Sequence, residues 1–172
     1  MSDEKQQLSR PMHCVVFTAS DSRNEENDTS GDLLEQSLVE QGHIIIKRAI
    51  LKEDLEVLSA AIHESIDNDE VEVVLITGGT GITKRDLTPE AIRIHSSKEI
   101  PGFGELFRWL SYAQIGSSTI QSRACAHLCK KTLVFGLPGS PNAVQLALDK
   151  ILIPQLDINH KPCNFAQLLP RI

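Results

Sequence analysis

Apolar residues along this chain come in two forms, short continuous runs and stripes at helical spacing, and the two alternate. His13–Ser20 (HCVVFTAS) is an apolar, β-branched run ending in small polar residues, as expected of a strand buried on both faces. A polar loop over 21–31 (DSRNEENDTSG) follows. Gly31–Gly42 then places Leu33, Leu34, Leu38 and Gln41 along one side of a predicted helix that Gly42 closes. His43–Leu51 predicts a second strand. Asp54–Ile66 predicts a second helix with Leu55, Leu58, Ile62 and Ile66 on its inner face, and Val71–Thr77 a third strand. Farther on, Thr132–Leu137 predicts a strand leading into a helix over 141–156. Segments 103–116 and 117–131 read as two helices split by Gly116. Thr88-Pro89 and Ser140-Pro141 each pair a hydroxyl at a helix N-cap with proline at the first helical position.

Strands alternating with helices of this length predict an α/β fold, a mostly parallel sheet with helices on both faces. The 172 residues suffice for one domain with a full core, expected over 12–172 behind a loose polar leader at 1–11. The leader has no apolar segment of the kind found in secretory signals, and no run approaches the roughly 18 apolar residues of a membrane span. A net charge of −6 argues against nucleic acid as a partner, while leaving room for anionic ligands held locally by backbone N–H groups or a bridging metal.

The four cysteines form no CxxC pair. On the helix predicted over 117–131, Cys125 and Cys129 lie one turn apart and His127 points elsewhere, so no metal cluster is expected. The six histidines are scattered without paired spacing. Reduced cysteines packed as small hydrophobes fit a cytoplasmic protein.

Parallel sheets bind ligands beyond the carboxyl ends of their strands, and three predicted strands here end in small or polar loops. The first ends in Thr18-Ala19-Ser20-Asp21-Ser22, the third in Thr77-Gly78-Gly79-Thr80-Gly81, and the strand 132–137 in Pro138-Gly139-Ser140-Pro141. Glycines let main-chain N–H groups approach ligand oxygens, and Thr77, Thr80 and Ser140 add hydroxyls. A GGTG turn alone is equally a structural turn, and it matches neither the Walker sequence nor G-x-G-x-x-G. Asp86, five residues beyond Gly81, suits either Mg²⁺ held against a phosphate or a surface carboxylate favoured by a helix N-terminus.

Three longer segments narrow these choices. LITGGTGITKRDLTPEAI, PGFGELFRWLSYAQIGSSTIQSRA and LVFGLPGSPNAVQLAL occur in the order found in the MogA/MoaB-type molybdopterin-binding family, which the chain resembles from about Met12 to Leu169. The EENDTSG loop, RAILKED and the closing IPQLDINHKPCNFAQLLP resemble its B branch. The resemblance implies a three-layer α/β/α sandwich assembling as trimers or hexamers. It also implies a molybdopterin ligand and, in catalytic members, transfer of AMP from Mg-ATP to molybdopterin with release of pyrophosphate, ahead of metal insertion by another cofactor-biosynthesis protein. By the same resemblance, Thr77, Gly78, Gly79, Thr80 and Gly81 line the pterin and phosphate pocket. Asp86 holds Mg²⁺ and orients the triphosphate, Pro138, Gly139 and Ser140 form a second wall, and Ser20 and Asp21 line the pocket.

Where catalytic members have an aspartate after the second strand, this chain has Glu53 with Asp54 beside it. Glutamate keeps the charge and moves it by one methylene, and reacting geometry is sensitive to about 1 Å. Two functions therefore stand: a molybdopterin adenylyltransferase with Asp86 and Glu53 as catalytic carboxylates, and a pterin-binding carrier of the same fold. Arg123 reads either as a phosphate contact or as a surface ion pair. Lys84 and Arg85 read as anion-steering residues or a solvated turn, Arg108 and Trp109 as packing or a subunit contact, and Ser117–Thr119 as a helix start or pocket residues.

Overall fold

The computed structural model describes residues 10–172. Residues 1–9, most of the expected leader, lie outside the described residues. Arg10 already pairs with Glu72, and Met12 is fully buried.

The central sheet has six strands in the order β2-β1-β3-β6-β5-β4. Four of them, β2 (Ile44–Leu51), β1 (His13–Ala19), β3 (Val73–Thr77) and β6 (Thr132–Leu137), are parallel. Strand β5 (Cys125–Cys129) extends the sheet antiparallel to β6, and the short β4 (Lys98–Glu99) pairs antiparallel to β5 at the edge.

The inner strands are apolar on both faces because both faces are covered. Cys14, Val16, Val73, Leu75, Leu133 and Phe135 point into one core. That core is closed by α1 (Thr29–Glu40), α4 (Pro101–Ile115), α5 (Pro141–Ala147), α6 (Ile153–Leu156) and α7 (Phe165–Leu168). Val15, Phe17, Val74, Ile76 and Val134 point into the other, under α2 (Leu55–Asp67) and α3 (Thr88–Ile94). The result is the expected three-layer α/β/α arrangement.

The helix expected over 141–156 runs from α5 to α6 through a π turn at Leu148–Leu152. Pro154 follows, which lacks an N–H and would crowd the carbonyl four residues back; a widened turn is one way a helix accommodates it.

Four local expectations change. Segment 117–131 is not a helix: Gly116–Gln121 forms a 3₁₀ turn and Cys125–Cys129 is β5. On a strand, Cys125, His127 and Cys129 share one face; even so, no group of three metal-binding side chains forms among the described residues. Leu55 is exposed at the first turn of α2. Helix α1 starts at Thr29 with Asp28 as its N-cap, ahead of the expected Gly31, and leaves Gln41 exposed just past its end. Thr88 is the first residue of α3 and caps nothing; its hydroxyl donates to the Gly78 carbonyl at 2.8 Å. Ser140, by contrast, is the N-cap of α5 and accepts from Ala143 N–H.

Candidate functional site

The parallel register brings the carboxyl ends of the strands level. Ala19 pairs with Leu51, Thr18 with Thr77, and Thr77 with Leu137. The loops that follow therefore gather at one edge and enclose a crevice of about 420 Å³.

Its floor is backbone packed on backbone. Gly78 N–H donates to Leu137 C=O at 2.9 Å, Thr77 Oγ1 donates to Pro138 C=O at 2.8 Å, and Ser30 Oγ donates to Gly139 C=O at 2.8 Å. Two glycines are dictated by this packing. Gly78 has φ +98°, and a Cβ there would lie 2.3 Å from the Ala19 carbonyl oxygen. Gly79 has φ +65°, and its Cβ would lie 2.6 Å from Thr88 Oγ1. Both conformations are ones that L side chains adopt at a penalty.

Of the residues singled out in the sequence, Ser20, Glu53, Thr77, Gly78, Gly79, Thr80, Gly81, Asp86, Pro138 and Gly139 come together in this wall. Asp21 and Ser140 do not. Asp21 borders a neighbouring cavity instead, accepting from Glu53 N–H at 3.2 Å and pairing with Arg85. Ser140 caps α5 and borders a smaller apolar cavity behind Pro138. Asp54 is the N-cap of α2, accepting from the N–H groups of Glu56 and Val57, each at 3.0 Å. Of the two adjacent carboxylates, Glu53 is the one in the crevice.

Glu53 and Asp86 enter from different loops, and their charges act on each other. Burial and then the Asp86 charge raise the Glu53 carboxyl above its ordinary pKa. For Asp86, burial pushes the same way, but hydrogen bonds from Thr83 and Gly81 and the Arg123 charge outweigh it and leave the pKa lowered. The Thr83 N–H donates to Asp86 Oδ2 at 2.8 Å, and the carboxylate packs against Gly81, where a Cβ would lie 2.8 Å from that oxygen. Two carboxylates, both hard oxygen donors, thus line one polar crevice.

Arg123 is absent from the crevice wall and is held by the loop beside it. Its Nε donates to Gly81 C=O at 2.6 Å, Nη2 donates to Asp86 C=O at 2.8 Å, and Nη1 pairs with Glu90. It ties together both ends of the loop that carries Asp86.

Thr18, read in the loop that ends the first strand, also lines the crevice, as do Arg23, Asp28, Ser30, Gln121 and Ser122, which sequence reasoning missed. Asp28 is only 1% exposed, accepts from Thr18 Oγ1 at 2.8 Å and from Gly31 N–H at 3.0 Å, and pairs with Arg48 at 3.0 Å. Its signal was present: an aspartate just before Thr29, Ser30 and the Leu33-Leu34 stripe is an N-cap pattern.

Residues 15–158 match the protein family described as a probable molybdopterin binding domain. The chain is 47% identical over 155 residues to molybdenum cofactor biosynthesis protein B of Escherichia coli (strain K12), covering 90% of this chain and 91% of that one. A crystal structure of a molybdenum cofactor biosynthesis protein B superposes with a TM-score of 0.82 at 46% identity, covering 86% of this chain and 92% of the other. The tungsten cofactor synthesizing protein MoaB from Pyrococcus furiosus superposes with a TM-score of 0.73 at 36% identity, covering 83% and 91%.

Proposed function

The chain belongs to the molybdopterin-binding domain family, and on that premise we propose that it acts in molybdenum cofactor biosynthesis by binding molybdopterin and adenylylating it with Mg-ATP. The observation that carries the chemistry is the meeting of Glu53 and Asp86 over a glycine-built floor. Two carboxylates without a larger cage suit Mg²⁺, which is commonly held by one or two carboxylates together with substrate phosphate oxygens. Bound there, the ion supplies charge neutralisation between anionic substrates.

The protein's own residues do the rest by positioning. Gly79, Thr80 and Gly81 line the crevice, and the N–H groups of this turn with the Thr80 hydroxyl orient phosphate oxygens, while Gly78 N–H is already spent on Leu137 C=O. A phosphate oxygen of molybdopterin forms a bond to the α-phosphorus of ATP. The bond from that phosphorus to the β-phosphate oxygen breaks, and pyrophosphate leaves with the electron pair. Such transfers depend on alignment and charge more than on covalent help from side chains, so no Ser/His/Asp triad is required.

The proposed protein works as a homo-oligomer, a trimer or hexamer. Supporting this is a run of exposed apolar side chains on α4 and the turn after it: Leu106, Trp109, Tyr112, Ile115 and Ile120, with Trp109 73% and Ile120 78% exposed. Single exposed apolar residues are ordinary, but a cluster of this kind marks contact surfaces.

The deciding experiment mixes purified protein with molybdopterin, ATP and Mg²⁺ and follows AMP-pterin by chromatography. Product that disappears with EDTA and in Asp86→Ala supports the transferase, and Glu53→Asp should raise turnover if the longer carboxylate is limiting. Retention of pterin with no AMP-pterin formed would replace the enzyme with a carrier. Full activity without divalent metal would overturn the role given to the carboxylates.

A further inference from the structure

We propose that Arg123 is the positioning residue for Asp86: its guanidinium, clamped to the loop outside the crevice, sets the place of the carboxylate that takes the metal. This rests on the metal role given to Asp86 above.

The loop from Gly81 to Leu87 has no core of its own. None of its side chains is buried; Ile82 is exposed, and Leu87 is half-buried against the core under α2 and α3. Its internal bonds, Thr83 N–H to Asp86 Oδ2 at 2.8 Å and Asp86 N–H to Thr83 C=O at 3.2 Å, close the turn on itself without fixing where it sits. Among the described residues, the side-chain bonds that fasten it to the rest of the molecule come from Arg123 and from the exposed Arg85–Asp21 pair.

Arg123 fits this task. Nε donates to Gly81 C=O at 2.6 Å and Nη2 to Asp86 C=O at 2.8 Å, so one rigid plane spans the two ends of the turn. Nη1 pairs with Glu90 in the first turn of α3, which keeps the plane oriented. The other Glu90 oxygen, Oε2, is buried without a partner, so this carboxylate is committed to Arg123. The main chain of Arg123 does something separate. Its N–H donates to Thr80 C=O at 2.8 Å, next to Gln121 and Ser122 of the crevice wall. A substitution at 123 keeps that bond and removes the side-chain clamp alone.

Position and charge predict opposite signs. A guanidinium near a cation site repels the cation, so if Arg123 acted through charge alone, its removal would tighten divalent binding. If it holds the Asp86 carboxylate in place, removal weakens binding, and residues that orient metal ligands are typically worth 10–100-fold in affinity. The comparison is made at pH 8, about four units above the ordinary aspartate pKa, so the protonation of Asp86 does not enter.

The test titrates the full chain with Mn²⁺ at saturating ATP, reading free Mn²⁺ by electron paramagnetic resonance. Hydrogen exchange of the ligand-free protein is followed by mass spectrometry. Arg123→Ala should bind Mn²⁺ about 10–100-fold more weakly. Arg123→Lys, which keeps the charge and lacks the planar fork, should also bind more weakly than the wild type. In both, amides of 81–88 should exchange about tenfold faster while those of β1 and β3 stay within about twofold. Unchanged or tighter Mn²⁺ binding in Arg123→Ala would overturn the proposal, and so would wild-type affinity in Arg123→Lys. Exchange that quickens equally in β1 and β3 of both variants would assign Arg123 to the stability of the whole fold and overturn it too. A wild type that takes up no Mn²⁺ with ATP would overturn the metal role of Asp86 and this inference with it.

Discussion

Glu53 and Asp86 reach the same crevice from the loops after β2 and β3, and the Asp86 charge adds to burial in lifting the Glu53 pKa. Without a cation between them the two carboxylates oppose each other. A raised folded-state carboxyl pKa favours the folded state at low pH, and that advantage is lost as pH rises through it. At neutral pH Glu53 therefore weighs against folding in the unliganded protein. Glu53→Gln is expected to raise the melting temperature of the ligand-free protein while weakening Mn²⁺ binding in the presence of ATP by about tenfold, equivalent to ~1.4 kcal/mol. Calorimetry and Mn²⁺ resonance titration read the two effects. A variant less stable than the wild type would refute the opposition of the two charges.

Gly79 and Gly102 make a controlled pair. At Gly79 a methyl group would lie 2.6 Å from Thr88 Oγ1, on a residue with φ +65°, whereas at Gly102 in the first turn of α4 nothing lies within 4 Å. Gly79→Ala should lower stability by about 1–3 kcal/mol and disturb the Thr88-to-Gly78 hydrogen bond that shapes the turn. Gly102→Ala should be neutral or stabilising by up to ~1 kcal/mol. Urea midpoints at constant slope measure both, and equal effects would contradict the geometry.

Asp28 supports the crevice from beneath by capping α1, accepting from Thr18 and pairing with Arg48. Asp28→Ala removes a cap and leaves the partly exposed Arg48 with Asp32 and Glu35 alone. The expected loss is ~2–4 kcal/mol, larger than for an exposed cap because the carboxylate is buried. Chemical denaturation checks it. Asp28→Asn, which keeps the cap and loses the charge, should fall between the two.

Two buried histidines set a pH dependence of stability. His43 Nδ1 accepts from Met12 N–H at 3.1 Å, and burial, partly countered by Glu72 and Asp157, lowers its pKa. His127 sits 2.8 Å from Ser96 Oγ through Nδ1 while its Nε2 is buried without a partner, and burial again lowers the pKa, with Glu99 opposing and Arg93 assisting. Unfolded, each takes up a proton near 6.5; folded, only at lower pH. Between those values the unfolded chain binds more protons, so stability falls as pH falls. The urea midpoint should drop from about pH 7 to about pH 5, and His43→Asn, whose side-chain oxygen replaces the Nδ1 acceptor, should reduce the slope.

The parallel half of the sheet was legible because its strands are buried on both faces and so read as continuous apolar runs. The glycine turn and Asp86 were legible as loop chemistry at strand ends, and Glu53 through the family resemblance. Strand β5 was not, since Cys125–Cys129 contains no β-branched residue and its two-residue turn is Lys130-Lys131, with Lys130 at φ +54° where glycine or asparagine would announce a hairpin. Asp21, Asp54 and Ser140 have plausible site chemistry in the sequence, yet backbone N–H groups nearby claim their side chains. Local capping and ligand binding use the same residue types, and only the fold separates them.

Trp109 offers the test of assembly. It lies on α4 one turn from Leu106 and one turn from Tyr112, and all three are exposed. An indole left in water forgoes about 1.5–3 kcal/mol of burial, and several such groups side by side favour covering the face with another copy of the chain. Trp109→Glu places a charge at the centre of that face and leaves the core of α4, Phe103 and Phe107, untouched. Light scattering should show the wild type at a multiple of the 19.0 kDa chain mass and Trp109→Glu at a lower multiple with unchanged circular dichroism. A variant that assembles like the wild type would place the contact elsewhere, and a wild type of one chain mass would remove the oligomer from the proposed function.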